Sequence, residues 1–459
     1  MQKVQTVRLP ACGHCVALIV MILMAGGSLA RAQPQAAHFG RVNAVVSEKF
    51  VRKAFTFGSF GEVHSPTIAR AADGTLVAAY YGGSEEGEDD QVIYLHRFNP
   101  VSQTWGTGQI VHPGTNQKPH FNPVLFQPSV PGTPLILWYK INEPHNWRGV
   151  MQTSTDGGQT WSAQIDLPAS ANSYFNAYGN RFMGPTKNKP LERPDGSLLL
   201  GASSEASLPW RIHIEQTPPS SAPDYYKTGY TLIGPLTNPG VGGSTQNQSF
   251  IQPAFLHHDA QMQHIQMIAR QYIGGPAYTS HSLDGGQTWG AFSKIVIDAD
   301  SSAGVSWNHP DLGAGIDAVT LTRGPEATRG WHIVVGSDFP GSRHGIGVAV
   351  SEDGQFWKRV LQLDFTDPNS PTGGHGGRRM EYPSVFEDVD GMLHIVYTAG
   401  DLARGGEGLE RNKYHIKHVV LDPHVLIFGQ PVPEPVAVFA IGIVALFTRR
   451  QVCLQGHRS

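Results

Sequence analysis

The sequence predicts an all-β protein, a six-bladed β-propeller, from two observations. First, one unit recurs along the body: an apolar strand, a turn and a second apolar strand. The units start near residues 65, 121, 188, 251, 315 and 381, so their spacing of about 56 to 67 residues leaves room for four strands each. Second, 53 Gly and 33 Pro supply many turns. Six four-stranded units form a propeller, whereas a pair of β-sandwiches would not explain the near-constant period.

Composition narrows the alternatives. A chain of 459 residues allows two or three domains or one large all-β domain. Hydrophobic residues make up 40% and charged residues 15%, which is enough apolar material for a core and too little charge for long disorder. The net charge of -3 gives no support to nucleic-acid binding. The frequent Gly and Pro exclude a long coiled coil.

The first 32 residues are predicted to be a signal peptide. Lys3 and Arg8 give a positive start, residues 16–24 are apolar, and Ala30-Arg31-Ala32 fits a small-x-small cleavage site. A membrane anchor is the weaker alternative, because the apolar stretch falls short of the ~20 residues that a bilayer requires.

A second motif marks hairpin turns within the units. Residues 154–161 (Ser-Thr-Asp-Gly-Gly-Gln-Thr-Trp) and 282–289 (Ser-Leu-Asp-Gly-Gly-Gln-Thr-Trp) are nearly identical. Residues 351–357 are a shortened copy and 101–105 an eroded one. Asp-Gly and Gly-Gly favour the left-handed turn conformations of β-hairpins, and we expect the Trp to pack back on the strands.

The C-terminus has three successive parts. Pro431-Val432-Pro433-Glu434-Pro435 is followed by apolar residues 436–447 and then by Arg449-Arg450. This order resembles the bacterial PEP-CTERM sorting signal, which implies processing by an exosortase; an ordinary membrane anchor is the alternative. We therefore predict a propeller over 50–423, a sorting or membrane segment over 431–450, and export of the body. Cys12, Cys15 and Cys453 lie near the ends, so no disulfide framework is expected in between.

The body resembles the sialidase superfamily of BNR-repeat proteins over about residues 55–423. The resemblance rests on the Ser-x-Asp-Gly-Gly-Gln-Thr-Trp motifs, known there as Asp-boxes, and on four further stretches, which are Gly82-Gly83-Ser84-Glu85-Glu86-Gly87, Gly184-Pro185-Thr186-Lys187-Asn188-Lys189-Pro190, Ile251-Gln252-Pro253 and Ile416-Lys417-His418-Val419-Val420. It implies a propeller with its site at the central axis and with structural Asp-boxes away from that site.

The resemblance also implies the parts of a sialidase site. Tyr382 takes the position of the nucleophile, Asp90 that of the general acid/base, and Arg270 and Arg343 those of arginines binding a substrate carboxylate. Two departures stand out. His64-Ser65-Pro66 replaces an Arg-Ile-Pro motif, and Gln252 replaces the Glu that activates the Tyr.

Because Gln cannot take a proton, another group must activate Tyr382 if the chemistry is kept. Glu205 is the first candidate, and Glu381 is weaker because adjacent strand residues point to opposite faces. His64 and Lys189 are expected to line the pocket together with Gln252, Arg270 and Arg343.

These features predict an exported glycosidase acting on terminal acidic or deoxy sugars of glycans. Two alternatives remain: a polysaccharide lyase that uses Tyr and His on a uronate, and a carbohydrate-binding propeller without catalysis. No cofactor or metal is expected, because His257-His258-Asp259 fits a solvated turn better than a metal cluster.

Overall fold

The computed structural model describes residues 39–52, 62–111, 118–206, 210–236, 249–271, 276–299, 315–339, 342–365, 380–401 and 413–429. The predicted signal peptide (1–32) and sorting segment (431–450) lie outside these ranges. Within them the regular secondary structure is mainly β-strand, and no described helix is long and apolar enough to cross a membrane.

The strands follow one another in short hairpins, as the alternation of apolar runs and Gly or Asp turns predicts. In chain order they are β1 (Phe39–Gly40), β2 (Val45–Arg52), β3 (Glu62–Arg70), β4 (Leu76–Gly83), β5 (Val92–Asn99), β6 (Thr104–Trp105), β7 (Gln109–Ile110), β8 (His120–Phe126), β9 (Leu135–Ile141), β10 (Arg148–Ser154), β11 (Ile165–Asp166), β12 (Leu191–Glu192), β13 (Leu198–Ser204), β14 (Arg211–Gln216), β15 (Thr231–Ile233), β16 (Phe250–His257), β17 (Ile265–Gln271), β18 (Tyr278–Ser282), β19 (Ser293–Lys294), β20 (Ile297–Ala299), β21 (Ile316–Thr320), β22 (His332–Phe339), β23 (Ser342–Ser351), β24 (Trp357–Phe365), β25 (Met380–Glu387), β26 (Leu393–Asp401) and β27 (Lys413–Leu421). Four 3-10 turns lie at Val42–Ala44, Pro144–Asn146, Ser173–Tyr178 and Glu326–Thr328, and one short α-helix, α1, spans Pro423–Phe428.

The strands form six sheets, which confirms the predicted six-bladed propeller. Blades 1 to 4 are β3-β4-β5-β6 with β7 on β5, β8 to β11, β12 to β15, and β16 to β19. Blade 5 is β21-β22-β23-β24, with β1 and β20 added to β24. Blade 6 is β25-β26-β27-β2. The first strands of blades 5, 6, 1 and 2 contact one another in that order and so surround the axis.

The two ends of the described chain close the ring together. β2 pairs antiparallel with β27 as the outermost strand of blade 6. The Asp422 N–H donates to the Ala44 carbonyl at 2.8 Å, and Arg41 Nη1 donates to the Leu426 carbonyl at 2.6 Å. The closing strand thus begins at Val45, five residues before the boundary predicted at 50.

The core lies between the stacked blades. The second strand of each blade carries the most deeply buried apolar side chains, because both of its faces are covered by neighbouring blades. Fully or almost fully buried examples, one per blade, are Val77, Trp138, Leu200, Ile268, Val335 and Ile395.

The Asp-box motifs form turns between the third and fourth strands. In residues 154–161, Ser154 Oγ donates to Asp156 Oδ1 at 2.8 Å and accepts the Gly158 N–H at 2.8 Å. The Thr160 hydroxyl and N–H also donate to the Asp156 carboxylate. These bonds favour the ionised carboxylate and lower its pKa to about 2. The copy at 282–289 repeats the same bonds.

Candidate functional site

Six residues with a left-handed backbone, one per blade, lie within or shortly before the first strand. Their φ angles lie between 46° and 88°. They are Ser65, Asn122, Lys187, Gln252, Gly315 and Tyr382. Such angles are uncommon for residues other than Gly and cost about 1–3 kcal/mol each, so the surrounding contacts must hold them.

Four of these positions share a second feature. Each of the four precedes a proline: Ser65, Asn122, Gln252 and Tyr382. Beside each of them, the register of hydrogen-bonded pairing with the second strand shifts, which indicates a β-bulge. A bulge resets the alternation of side chains along a strand. Side chains of adjacent residues at these positions are therefore able to point into the same pocket.

Tyr382, Arg270 and Gln252 are in direct contact. Arg270 Nη2 donates to the Tyr382 hydroxyl at 3.1 Å, and its Nε donates to Gln252 Oε1 at 2.9 Å. The guanidinium lies 5.4 Å from the centroid of the Tyr382 ring. All three side chains are at least 92% buried, with exposures of 8% for Tyr382, 6% for Arg270 and 2% for Gln252. Gln252 therefore positions the arginine rather than accepting a proton.

Gly315 makes room for this group. A Cβ atom there would lie 3.0 Å from Tyr382 Cα and 3.2 Å from its Cγ. With a φ of 88° as well, the position suits glycine alone.

His64 and Glu381 extend the cluster on the other side of Tyr382. The imidazole and phenol centroids are 4.1 Å apart, and His64 Nδ1 lies 3.3 Å from Glu381 Oε1. Both His64 and Glu381 are buried. The bulge between Glu381 and Ser384 explains why the expectation of opposite faces for Glu381 and Tyr382 is wrong: both reach His64.

Glu205 follows β13 and faces Arg270 and Lys140. Its burial raises the pKa to about 7, although the positive charges of Arg270 and Lys140 and a hydrogen bond from Ser203 Oγ act in the opposite direction. The Ser203 hydroxyl donates to Glu205 Oε1 at 3.0 Å. A carboxyl with such a pKa is able to give or take a proton near neutral pH.

Lys187 and Lys189 tie blade 3 to blades 5 and 6. Lys187 Nζ donates to the Ile316 carbonyl at 2.9 Å and to the Pro383 carbonyl. Burial lowers its pKa to about 7. Lys189 Nζ donates to Ser384 Oγ and lies 3.8 Å from the Asp317 carboxylate. Protein groups therefore hold both ammonium groups in place, and substrate binding by Lys189 stays a prediction.

Of two other predicted residues, Asp90 and Arg343, only Asp90 has a described side chain. Asp90 is exposed in the turn between β4 and β5, and its carboxylate accepts the Ser84 N–H at 3.0 Å and the Ser84 hydroxyl at 2.9 Å. Arg343 lies in β23, and its side chain is not among those described. Their roles stay predictions.

The structure adds Tyr81, Lys140 and Glu86, which sequence reasoning did not single out. Tyr81 and Lys140 occupy the same place in their blades as Arg270, opposite the residue that precedes the left-handed position. The Tyr81 ring lies 5.5 Å from that of His64, centroid to centroid, and its hydroxyl donates to Glu86 Oε1 at 2.5 Å. A polar residue at the end of each second strand was the signal available in the sequence.

Comparison with known proteins agrees with this architecture. The family model of the BNR repeat-like domain matches residues 74–395, over half of the chain, and the chain belongs to that family. Among curated proteins, no sequence matches.

Solved structures share the fold at low sequence identity. The NanB sialidase of Streptococcus pneumoniae is 10% identical, with a TM-score of 0.56, and the match covers 82% of this chain and 70% of that one. The α-L-arabinanase of Penicillium chrysogenum is 14% identical, with a TM-score of 0.54 and coverage of 83% and 99%. A protein of unknown function from Dyadobacter fermentans is 15% identical, with a TM-score of 0.57 and coverage of 82% and 98%. The chain is therefore a BNR-repeat β-propeller that shares its fold with these structures.

Proposed function

We propose that this protein is a glycoside hydrolase that releases a terminal acidic or deoxy sugar from a glycan. The observation that carries the proposal is the Tyr382 hydroxyl, which accepts a hydrogen bond from buried Arg270 beside a carboxyl, Glu205, whose pKa is raised to about 7. The sialidase and arabinanase among the similar structures support the glycosidase class.

In this proposal Tyr382 is the nucleophile and Glu205 the acid/base. The phenol oxygen attacks the anomeric carbon while Glu205 donates its proton to the departing glycosidic oxygen. Glu205 then takes a proton from the water that hydrolyses the tyrosyl–sugar bond. The Arg270 guanidinium stabilises negative charge on the phenol oxygen and, as the family resemblance implies, binds a substrate carboxylate.

Activation of Tyr382 falls to His64 in the absence of a carboxylate at position 252. Glu381 beside His64 Nδ1 favours the tautomer with the proton on that nitrogen, which leaves Nε2 as a base. A carboxylate orients a histidine in this way in serine hydrolases. The pair Glu381–His64 thus takes over the function of the missing glutamate.

Asp90 remains the second candidate for the acid/base, as the family resemblance implies. The two carboxylates make different predictions, because Asp90 is exposed and bound to Ser84 while Glu205 is buried beside Arg270. If Asp90→Asn lowers kcat more than Glu205→Gln, Asp90 is the acid/base and the assignment of Glu205 is wrong.

A polysaccharide lyase is the second candidate function. The close packing of His64 on Tyr382 supports it, because a Tyr–His pair suits proton abstraction next to a uronate carboxylate, with Arg270 neutralising the charge.

Incubation with sialylated, arabinofuranosyl and uronate-containing glycans tests the proposal. Release of free sugar supports hydrolysis, an unsaturated product absorbing in the ultraviolet supports elimination, and saturable binding without turnover supports a binding module. Tyr382→Phe is expected to lower kcat by at least about 10³-fold. Tyr397→Phe, a buried tyrosine of the same blade that donates to Asp364, is the matched control and should retain turnover.

We further propose that the protein acts outside the cytoplasmic membrane and that an exosortase processes its tail. The positive and apolar leader and the Pro-Glu-Pro, apolar and Arg-Arg order of residues 431–450 support this. N-terminal sequencing of the protein from its native envelope or medium should find Gln33 first. A mature protein that still carries residues 1–32 would contradict export.

A further inference from the structure

Three histidines come together at the far end of blade 4 from Tyr382. His258 and His264 lie at the two ends of the turn between β16 and β17, and His281 lies in β18 opposite Gln266. In β16, His257 lies five residues after Gln252, so the turn is about 17 Å along the strand from the Tyr382 cluster. Nothing in the proposed hydrolysis uses these side chains.

The imidazole nitrogens lie close to one another. One nitrogen from each of His258, His264 and His281 lies within 4.8 Å of the others. His264 Nε2 and His281 Nδ1 are 3.0 Å apart. Two nitrogens bound to one tetrahedral Zn²⁺ at about 2.0–2.1 Å would be about 3.3 Å apart. The His258 and His264 rings are stacked, with centroids 4.2 Å apart, so a ring rotation is needed before both point at one ion.

A neighbouring amide fixes the His258 ring. Gln266 Nε2 donates to Thr279 Oγ1 and to the Gly354 carbonyl, both at 2.9 Å. Its Oε1 is thereby turned to His258 Nε2 at 3.0 Å. The N–H of His258 is therefore on Nε2, and Nδ1 keeps its lone pair. Groups that orient a ligating histidine in this way are typical of metal sites.

The turn itself is rigid. The Asp259 carboxylate accepts the N–H groups of Gln263 at 3.1 Å and His264 at 2.7 Å. The backbone N–H of His258 donates to the backbone carbonyl of His264 at 3.0 Å. Asp259 thus shapes the turn, and the histidines are held close together before any ion arrives. All three are half-buried, which leaves access for an ion and a water ligand.

A second group, Asp388, Asp390 and His394, has a similar spacing but a different electrostatic setting. Arg70 binds the Asp388 carboxylate through Nε and Nη2. A guanidinium already neutralises that carboxylate, so the group is less suited to a cation.

We propose that His258, His264 and His281 form a binding site for a divalent transition-metal ion such as Zn²⁺. Imidazole ligands with one open position suit Zn²⁺, Cu²⁺ and Ni²⁺ rather than Mg²⁺ or Ca²⁺. The site is separate from the proposed catalytic cluster, so its occupancy affects the stability of blade 4 rather than the reaction.

Calorimetric titration with ZnCl₂ tests the site on the full chain, freed of metal by a chelator and with its cysteines blocked by iodoacetamide. We expect one saturable equivalent, and we expect His264→Ala and His281→Ala each to weaken it by at least about tenfold. His145→Ala, an exposed histidine of blade 2, should bind as the wild type does. Unchanged affinity in both site variants, or no saturable binding by the wild type, overturns the proposal.

Two further measurements guard against variants that merely misfold. Zn²⁺ should raise the Tm of the wild type and of His145→Ala but not of the two site variants, because an ion that binds only the folded state stabilises it. Co²⁺ should give a visible spectrum of nitrogen coordination. A rise in Tm that persists in the folded site variants would place the ion elsewhere and refute the assignment.

Discussion

The axial ends of the first strands and the outer Asp-box turns are both repeated around the ring, yet they differ in what is repeated. The turns at 154–161 and 282–289 repeat backbone, side chains and hydrogen bonds alike. The axial positions repeat only the left-handed backbone and carry Ser, Asn, Lys, Gln, Gly and Tyr. The Asp-box turns thus keep the same side chains and the same structural hydrogen bonds. The axial positions carry different side chains, and the candidate site lies there.

Burial separates the two regions energetically. Asp156 is only partly buried, and hydrogen bonds keep its carboxylate ionised. Glu205 is buried, and the loss of water raises its pKa instead. Charges at the axis act in a low dielectric and interact strongly. Charges at the outer Asp-box turns, here called the rim, are screened by water and salt. Changes at the axis should therefore alter activity, and changes on the rim should alter stability slightly.

Apart from the loss expected for Tyr382→Phe, the largest expected effect is on turnover by Glu205→Gln. Removal of the acid/base should lower kcat by about 10²–10⁴-fold. In the wild type, with Glu205 acting as the acid, kcat should fall as the pH rises through about 7, because the carboxyl whose pKa burial raises to about 7 then loses its proton. Measured pH–rate profiles of both proteins check this.

The control for that change is Glu192→Gln. Burial also raises the pKa of Glu192, but its carboxylate accepts the Ser129 N–H away from the axis. Its kcat should stay within about twofold of the wild type. A profile of the wild type that does not change between pH 6 and 8 would contradict the role of Glu205.

Arg270→Lys should have the next largest effect. An ammonium group cannot donate to Gln252 and Tyr382 in the fork that the guanidinium forms. We expect kcat/KM to fall by about 10²-fold, measured on the released sugar. Arg193→Lys serves as the control, because the native Arg193 Nε donates to Ser197 Oγ in blade 3. Equal losses in both variants would mean that the arginine is merely structural.

Gly315→Ala tests the axial packing. The added methyl would meet Tyr382 at 3.0 Å from a backbone with a φ of 88°, and we expect about 1–3 kcal/mol of destabilisation. Gly330→Ala has a φ of 85° with no atom within 4 Å of its Cβ, so it isolates the backbone cost of about 1 kcal/mol. Urea unfolding measures both. Identical losses would show that contact with Tyr382 does not matter.

The smallest effect is expected for Asp284→Asn on the rim. Bonds from Thr288 and Ser282 lower the Asp284 pKa to about 2 from an ordinary 3.8, so the carboxylate stabilises the fold above about pH 4 and less as the pH falls toward 2. The variant should melt about 2 °C lower at pH 7, with kcat unchanged and the difference vanishing near pH 2. A loss of activity would break the distinction between rim and axis.

The fold and part of the site follow from the sequence for related reasons. The unit period predicts six blades, and the unit starts point to His64, Gln252 and Tyr382, because first strands surround the axis. The sequence also points to Arg270 and Glu205, because both lie at strand ends. The positions of His64 and Glu205 within a unit indicate a place in the pocket, whereas the roles of Tyr382, Arg270 and Gln252 come from the resemblance to the sialidase superfamily.

The rest depends on contacts between units. Lys187 reaches Ile316 and Pro383, which only a closed ring brings near. The bulge at Glu381 overrides the alternation that a regular strand would impose. His258, His264 and His281 meet because a turn and a third strand fold over each other, and their spacing of 6 and 17 residues follows no simple period.

The pairing of β2 with β27 has a consequence for the order of events in the life of the chain. The strand Val45–Arg52 is synthesised early. It cannot form its antiparallel pairing in blade 6 until Lys413–Leu421 has been synthesised. The Tyr382 cluster draws on blades 1, 4 and 6. An incomplete polypeptide therefore lacks the assembled Tyr382 cluster, and any activity of this site would appear only once the ring is complete.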